Sequence, residues 1–181
     1  MMGVDLFYVV YSVRKWIVEE DGLALMEAAM LFPPMITLLM GVYDLGNGIV
    51  VSQKTITSSQ IAADLVSRNR TMNTTNLNDI IEGAKLAFEP YHMVNFGIDV
   101  VSIEFDAEKH PDILWRRTEN MPPNDTAVNS VDGFAEQGEG MIIVTVQYTY
   151  IPRFAKFFTG NMDFSEVAFT RGRRSSTVTW D

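Results

Sequence analysis

The chain has 181 residues, with 14 Lys and Arg against 23 Asp and Glu, a net charge of −9 and a pI near 4.7. This length holds one domain plus a tail or an anchor, and the acidic balance argues against a general nucleic-acid binder and against adhesion of the soluble part to acidic membranes. There is no cysteine, so disulfides, thiolate metal sites and cysteine nucleophiles are excluded.

Residues 1–21 hold a short apolar run, Leu6 to Tyr11, followed by Arg14 and Lys15. The run is too short to span a bilayer, and its basic pair follows it, the reverse of a secretory signal peptide. Residues 1–22 are expected to form a cytoplasmic leader. The next stretch, Gly22 to Asp44, reads GLALMEAAMLFPPMITLLMGVYD. From Leu23 to Tyr43 its one charged side chain is Glu27. At 1.5 Å per helical residue this reaches about 30 Å, the thickness of a bilayer core. A transmembrane helix with its extension is therefore expected over 23–51, with membrane lipid as a partner. Arg14 and Lys15 precede the segment, and only Lys54 lies at a similar distance after it. This bias puts the N-terminus in the cytoplasm and the domain outside. Tyr43, Asp44 and Gly46 mark the exit, with Tyr43 at headgroup level. Gly46 and Gly48 soften the helix there.

Two features inside the segment stand out. Pro33 and Pro34 each lack an N–H and crowd the carbonyl four residues back. Membrane helices tolerate such kinks; the sharper reading is a weak point where the helix bends or melts on a change of partner. Glu27 costs a few kcal/mol at depth unless paired or neutralised. One reading is an acid that snorkels to the interface. The other is an acid that selects and registers a partner helix. If the chain is cut between Gly22 and Leu23, the new amine is unfavourable with the helix dipole, and a carboxylate one turn away, from this chain or a neighbour, offsets it.

Beyond Tyr43 the helix is expected to continue. Val42, Leu45, Ile49, Ser52, Ile56, Ser59, Ala63 and Val66 follow at steps of three and four, a single packing stripe. Asn73-Thr74-Thr75 predicts an N-cap for a second helix that Pro90 stops. Phe96–Phe105 reads as a strand, with a hairpin partner at 113–118. Residues 120–140, with Pro122-Pro123 and three glycines, read as a long polar loop. Met141–Ile151 is the strongest strand, with Val144, Val146, Tyr148 and Tyr150 on one face and Ile143, Thr145, Gln147 and Thr149 on the other. Phe154–Phe158 makes an apolar connector, Phe164–Arg171 a last strand, and 175–180 its extension or a frayed end. Helices first and strands afterwards predict an α+β fold, with a long N-terminal helix on a small antiparallel sheet and a periplasmic domain over 52–181.

Few residues suggest chemistry. Glu104, Asp106, Glu108 and His110 alternate, which suits either a metal site or, far more simply, a solvated strand face. Gly46-Asn47-Gly48 lacks the third glycine of a dinucleotide loop. Arg171, Arg173 and Arg174 form a small basic cluster, and Asn69, Asn73 and Asn124 sit in N-x-[ST] triplets. No catalytic, cofactor-binding or metal-binding constellation is legible, so a non-enzymatic protein without a cofactor is expected.

The order Gly22, Leu23, Glu27 resembles the type IV pilin class, whose precursors carry a glycine before the cleavage point and a glutamate five residues after it. Glu27 with Ala28 and Ala29, Pro33-Pro34, and Asp44-Leu45-Gly46 are similar, more narrowly, to the TadE/TadG-like pseudopilins of the tight-adherence (Flp) pilus system. Val144–Tyr150, Phe154–Phe158 and Phe164–Arg171 are similar to that family's closing strand, connector and last strand. Glu19, Glu20 and Asp21 depart from it by standing between the basic pair and Gly22. The resemblance implies a minor pseudopilin of the bacterial inner membrane, cut after Gly22 by a prepilin peptidase. It implies other pseudopilins or pilins and the pilus assembly platform as partners, and support of pilus assembly as the role. The alternative from the residues is a signal-anchored periplasmic binding or sensory module, with ligand chemistry in 96–118 and 120–140.

Overall fold

A computed structural model describes residues 11, 13–15, 20–154 and 156–181. Most of the expected leader, residues 1–10, 12 and 16–19, lies outside the described residues. The chain divides into two compact units, Met1–Asp44 and Leu45–Asp181. One helix, α1 (Glu20–Ser67), carries Pro33 and Pro34 inside it and runs through the division. The described part of the first unit is helical.

The second unit is α+β. After α1 come β1 (Thr71–Met72), α2 (Thr74–Leu86), β2 (Phe96–Phe105), β3 (Pro111–Glu119), α3 (Asp125–Asn129), β4 (Gly140–Tyr150), α4 (Lys156–Thr159), β5 (Met162–Thr170) and β6 (Thr179–Trp180). The main sheet has the order β3-β2-β4-β5, antiparallel throughout. The Asn73 side chain accepts from the Asn76 N–H at 2.8 Å and so starts α2 as an N-cap. At its other end Lys54 of α1 donates to the carbonyls of Ala87 and Glu89 at 2.8 and 2.9 Å. The cation thereby satisfies carbonyls just past α2.

The sheet is covered on both faces, so β2 and β4 are buried along nearly their whole length. On one face Phe96, Ile98, Val100, Val144, Val146 and Tyr148 join a core shared with α1 and α2. On the other, Val101, Ile103, Phe105, Met141 and Ile143 pack with Ala127, Val128, Val131 and Ala135. The division of β4 into two faces agrees with its sequence alternation.

Three expectations need correction. Segment 120–140 is not simply a polar loop: α3 and the turns after it cover the second face. A buried carboxylate holds it there. Asp99, 1 % exposed, accepts from Arg116 Nε and Nη2 at 3.0 and 2.6 Å and from the Asn124 N–H at 2.9 Å. Segment 175–180 does not extend β5. It returns across the molecule, and β6 pairs in parallel with β1. The Val178 carbonyl accepts from Ser102 Oγ at 2.7 Å and from Trp115 Nε1 at 2.8 Å. The predicted α1 stripe is rotated: Leu45, Ile49 and Ile56 are exposed, while Gly48, Val51, Thr55, Ser58 and Ala62 are buried. The expected and observed faces coincide only at Ser59, Ala63 and Val66. Small residues win the inward face because the sheet and α2 approach closely; the Ser58 hydroxyl donates to the Ala84 carbonyl at 2.8 Å.

Gly140 and Gly46 give a matched pair of tests. A Cβ at Gly140 would sit 2.6 Å from the Ser176 carbonyl oxygen, whereas one at Gly46 meets nothing within 4 Å. Gly140→Ala is expected to destabilise the fold by about 1–3 kcal/mol. Gly46→Ala is expected to be neutral or to add up to about 1 kcal/mol through helix propensity. Urea titration of the two variants checks both.

Candidate functional site: an exposed apolar helix carrying one acid

In the first unit α1 has no sequestered apolar face. Leu23, Leu25, Met26, Met30, Leu31, Phe32, Met35, Leu38, Leu39 and Val42 are all at least 59 % exposed. Met30-Leu31-Phe32 and Leu38-Leu39 expose consecutive residues, 100° apart, so the helix is apolar all round rather than amphipathic. Such a surface is stable in hydrocarbon, where the helix satisfies its own backbone. By length and composition this helix is sufficient to cross a membrane.

The expected residues fall on it as follows. Gly22 is half-buried and Leu23 exposed, so that peptide lies at the start of the described helix. Glu27 is exposed on the same apolar surface, one turn further on. Pro33 and Pro34 sit inside the continuous helix. Their missing N–H groups leave the carbonyls of Ala29 and Met30 without their usual helical donors. The Thr37 hydroxyl donates back to the Pro33 carbonyl at 2.9 Å. Such back-bonding tends to bend helices. Tyr43 is 52 % exposed, whereas Asp44 is fully buried. In the second unit Gly46 is exposed, and Asn47 Oδ1 accepts from the Tyr91 hydroxyl at 3.1 Å. The Gly46-Asn47-Gly48 triplet is thus helical and not a phosphate loop.

The remaining sequence candidates have structural occupations. Asp106 Oδ1 accepts from the backbone N–H groups of Glu108 and His110 at 3.0 and 2.7 Å, closing the β2–β3 turn. His110 Nδ1 lies 2.6 Å from Asp132. Among the described residues no group of three or more His, Asp or Glu side chains is arranged to hold a metal ion. Asn73 and Asn124 spend their side-chain oxygens as helix caps, and Asn69 donates to the Leu65 carbonyl. Arg171 pairs with Glu139 at 3.3 Å, and Arg173 with Asp64 at 2.5 Å.

Two grooves of the second unit are absent from the sequence reading. One, of about 420 Å³, lies between α2 and β3 and is lined by Thr74, Leu77, Asn78, Trp115, Arg117 and Trp180. Its two indoles are 5.5 Å apart. The other, of about 410 Å³, runs between α1 and the edge strand β5, past Leu45, Ile49, Ser52, Met162 and Phe164. Both depend on long-range returns of the chain that local periodicity does not encode. Comparison with protein-family models, with curated proteins and with solved structures finds no match for the chain.

The His110–Asp132 contact gives a pH test. The hydrogen bond to Asp132, its charge, and the nearby Asp106 and Glu108 raise the His110 pKa above 6.5. The folded state therefore favours the protonated ring. Its contribution to stability is fully present below the unfolded pKa and is lost as pH rises through the raised folded value. An NMR titration should place His110 above 6.5, and Asp132→Asn should bring it down.

Proposed function

We propose that the chain is a single-pass membrane protein of the pseudopilin type, TadE/TadG-like, whose working surface is α1 rather than a catalytic pocket. In this reading the N-terminus is cytoplasmic, the second unit is periplasmic, and the protein supports assembly of Flp-type pili in a bacterial inner membrane. The observation that carries it is the all-round exposure of apolar side chains on α1 up to Val42, interrupted by one carboxylate at Glu27. Dispersion and hydrogen bonding rather than hydrophobic exclusion drive helix association in lipid. A lone acid there is costly until it meets a cation or a donor, so it rewards a single register of a partner helix. A new amine at Leu23, in this chain or a neighbouring pseudopilin, is such a group. In the second unit Leu45, Gly46 and Ile49 are exposed on α1 as well.

Membrane-embedded helix association, not chemistry on a substrate, is the role this implies, with other pseudopilins or pilins and the assembly platform as partners. Intact-mass measurement of the protein from its native membrane is expected to give Leu23 as the mature first residue; Met1 or Met2 would remove the processed form of the reading. Glu27→Ala is expected to abolish or strongly reduce pilus assembly while leaving the second unit folded, and Glu27→Gln to restore part of it. Wild-type assembly with Glu27→Ala would sink the pairing role.

A second reading, the signal-anchored binding module, draws on the groove beside Trp115 and Trp180. Its volume suits a small molecule; Trp180 offers an exposed indole face on which a planar ligand can stack, and Arg117 beside it a guanidinium that suits an anionic group on that ligand. Native mass spectrometry of the purified protein tests this by looking for a retained small molecule that Trp180→Ala releases.

A further inference from the structure

The β4–β5 connector, residues 151–161, reads IPRFAKFFTGN. It carries Arg153 and Lys156 and no acid, in a chain whose net charge is −9. Ile151 is 43 % and Phe154 50 % exposed, and Arg153 and Lys156 are exposed with them. Apolar and cationic side chains are therefore both exposed on the connector. The connector's position gives this meaning. Its two ends are fixed by the Tyr150–Met162 pair of the sheet. Met162 packs on α1, since a Cβ at Gly48 would sit 3.1 Å from its sulfur. Phe164 and Met162 line one groove with Leu45 and Ile49. The connector thus springs from the end of the second unit that holds Leu45, one peptide bond from the apolar segment. The opposite end of the sheet carries Asp106, Glu108, Asp132, Glu136 and Glu139 around the β2–β3 turn. The 11 residues of β4 separate the two ends. At about 3.4 Å per residue that is more than about 30 Å.

We propose that the connector is a second membrane contact: it lies in the headgroup layer of the bilayer that the apolar segment crosses. Arg153 and Lys156 meet anionic phospholipid headgroups, and Ile151 and Phe154 face the acyl boundary. The net negative charge of the domain disfavours broad adhesion to such a surface, and the connector is the local exception. Of the other charges at this end, Asp163 accepts from the Thr149 hydroxyl at 2.6 Å, Lys54 is held by the carbonyls of Ala87 and Glu89, and the Glu89 carboxylate is exposed as an opposing charge. A juxtamembrane cation near an acidic leaflet gains from its surface potential within a Debye length. The inference rests on the anchoring of residues 23–43 in a bilayer.

The test uses the full chain in phosphatidylcholine liposomes with or without phosphatidylglycerol. Because the protein has no cysteine, single sites take an environment-sensitive fluorophore cleanly. Thr159→Cys reports the connector, Lys109→Cys the far end, and Met30→Cys the apolar segment. Nitroxide lipids are expected to quench the label at 30 deeply and the label at 159 at headgroup depth, and to leave the label at 109 untouched. Phosphatidylglycerol should strengthen quenching at 159. Arg153→Ser with Lys156→Ser should cut the ratio of seated to free label about fivefold per charge. Salt at about 1 M, where the Debye length is about 3 Å, should do much the same. Quenching at 30 with a label at 159 as water-exposed as that at 109 overturns this inference alone. Absence of quenching at 30 overturns the anchor and this inference with it. Quenching at 159 that ignores lipid charge, salt and the double substitution overturns the assignment to anionic headgroups.

Discussion

The close approach of α1 to the sheet and to α2 is the contact on which the second unit depends. It is made by small residues: Gly48, Ser58, Ser59, Ala62 and Ala63 are buried, with Val51 and Val66 as the larger members. The hydroxyls on this face are satisfied within α1 or by α2. Thr55 donates to the Val51 carbonyl at 2.9 Å and Ser58 to Ala84 at 2.8 Å. A buried hydroxyl left unpaired would cost about 1–3 kcal/mol. With them paired, α1 lies close enough for Phe88, Phe96 and Tyr148 to fill the space between the layers. Phe88 and Tyr148 stack at 4.8 Å, and Phe96 meets Phe88 edge-on at 5.2 Å. Bulk is supplied by the sheet and α2, and the helix supplies a surface that admits it.

That division of labour explains what the sequence revealed and what it hid. The α2 helix was legible because Asn73 is a local cap and Pro90 a local stop. The β2–β3 hairpin and the two faces of β4 were legible because strand alternation is a two-residue signal. The inward face of α1 was misread because periodicity counts apolar residues, and here the more apolar positions, Leu45, Ile49 and Ile56, point outward. The larger apolar residues of the predicted stripe before Ser59 lie on the exposed surface of α1, while its core face is made mostly of small residues with Val51 and Val66. The cover formed by α3 was hidden for a different reason. Its anchor, Asp99 with Arg116 and the Asn124 backbone, joins residues 17 and 25 apart in sequence, and no local pattern marks a buried carboxylate in the middle of a strand. The long apolar segment and its lone acid were legible, because length and composition are one-dimensional properties. The two grooves were not, since each needs the tertiary return of β5 or β6.

The tail adds a closure that works through backbone groups. The Arg173 N–H donates to the Ser67 carbonyl at 2.8 Å, and Arg173 reaches Asp64. One of the orphan carbonyls at the end of α1 is thereby satisfied. From there the chain crosses the start of β4, where Gly140 N–H donates to the Ser176 carbonyl at 3.0 Å. It ends on β1, where the Asp181 N–H donates to Met72 at 2.8 Å. The C-terminal residues therefore tie the end of the long helix to the sheet. Gly140 is glycine because a side chain would occupy the track of the crossing strand.

One helix consequently meets two sets of demands. Before the division at Asp44 it exposes leucine, methionine and phenylalanine around its circumference; after it, it buries serine, threonine, alanine and glycine. The first half does not resemble the amphipathic helix of a soluble domain, with apolar residues inward and polar residues outward; the second half does so in part, burying Val51, Ala62, Ala63 and Val66 while exposing Gln53, Thr57 and Gln60. In water the first half would be a large aggregation-prone surface. In hydrocarbon its apolar side chains are matched to their solvent, and the unmatched group is the Glu27 carboxylate. The same inversion continues past the division as exposed Leu45, Ile49 and Ile56 on a helix whose inner face is already filled. An element arranged this way needs no larger core. Its outer surface is apolar, and Glu27 is the one charged side chain on the stretch from Leu23 to Tyr43.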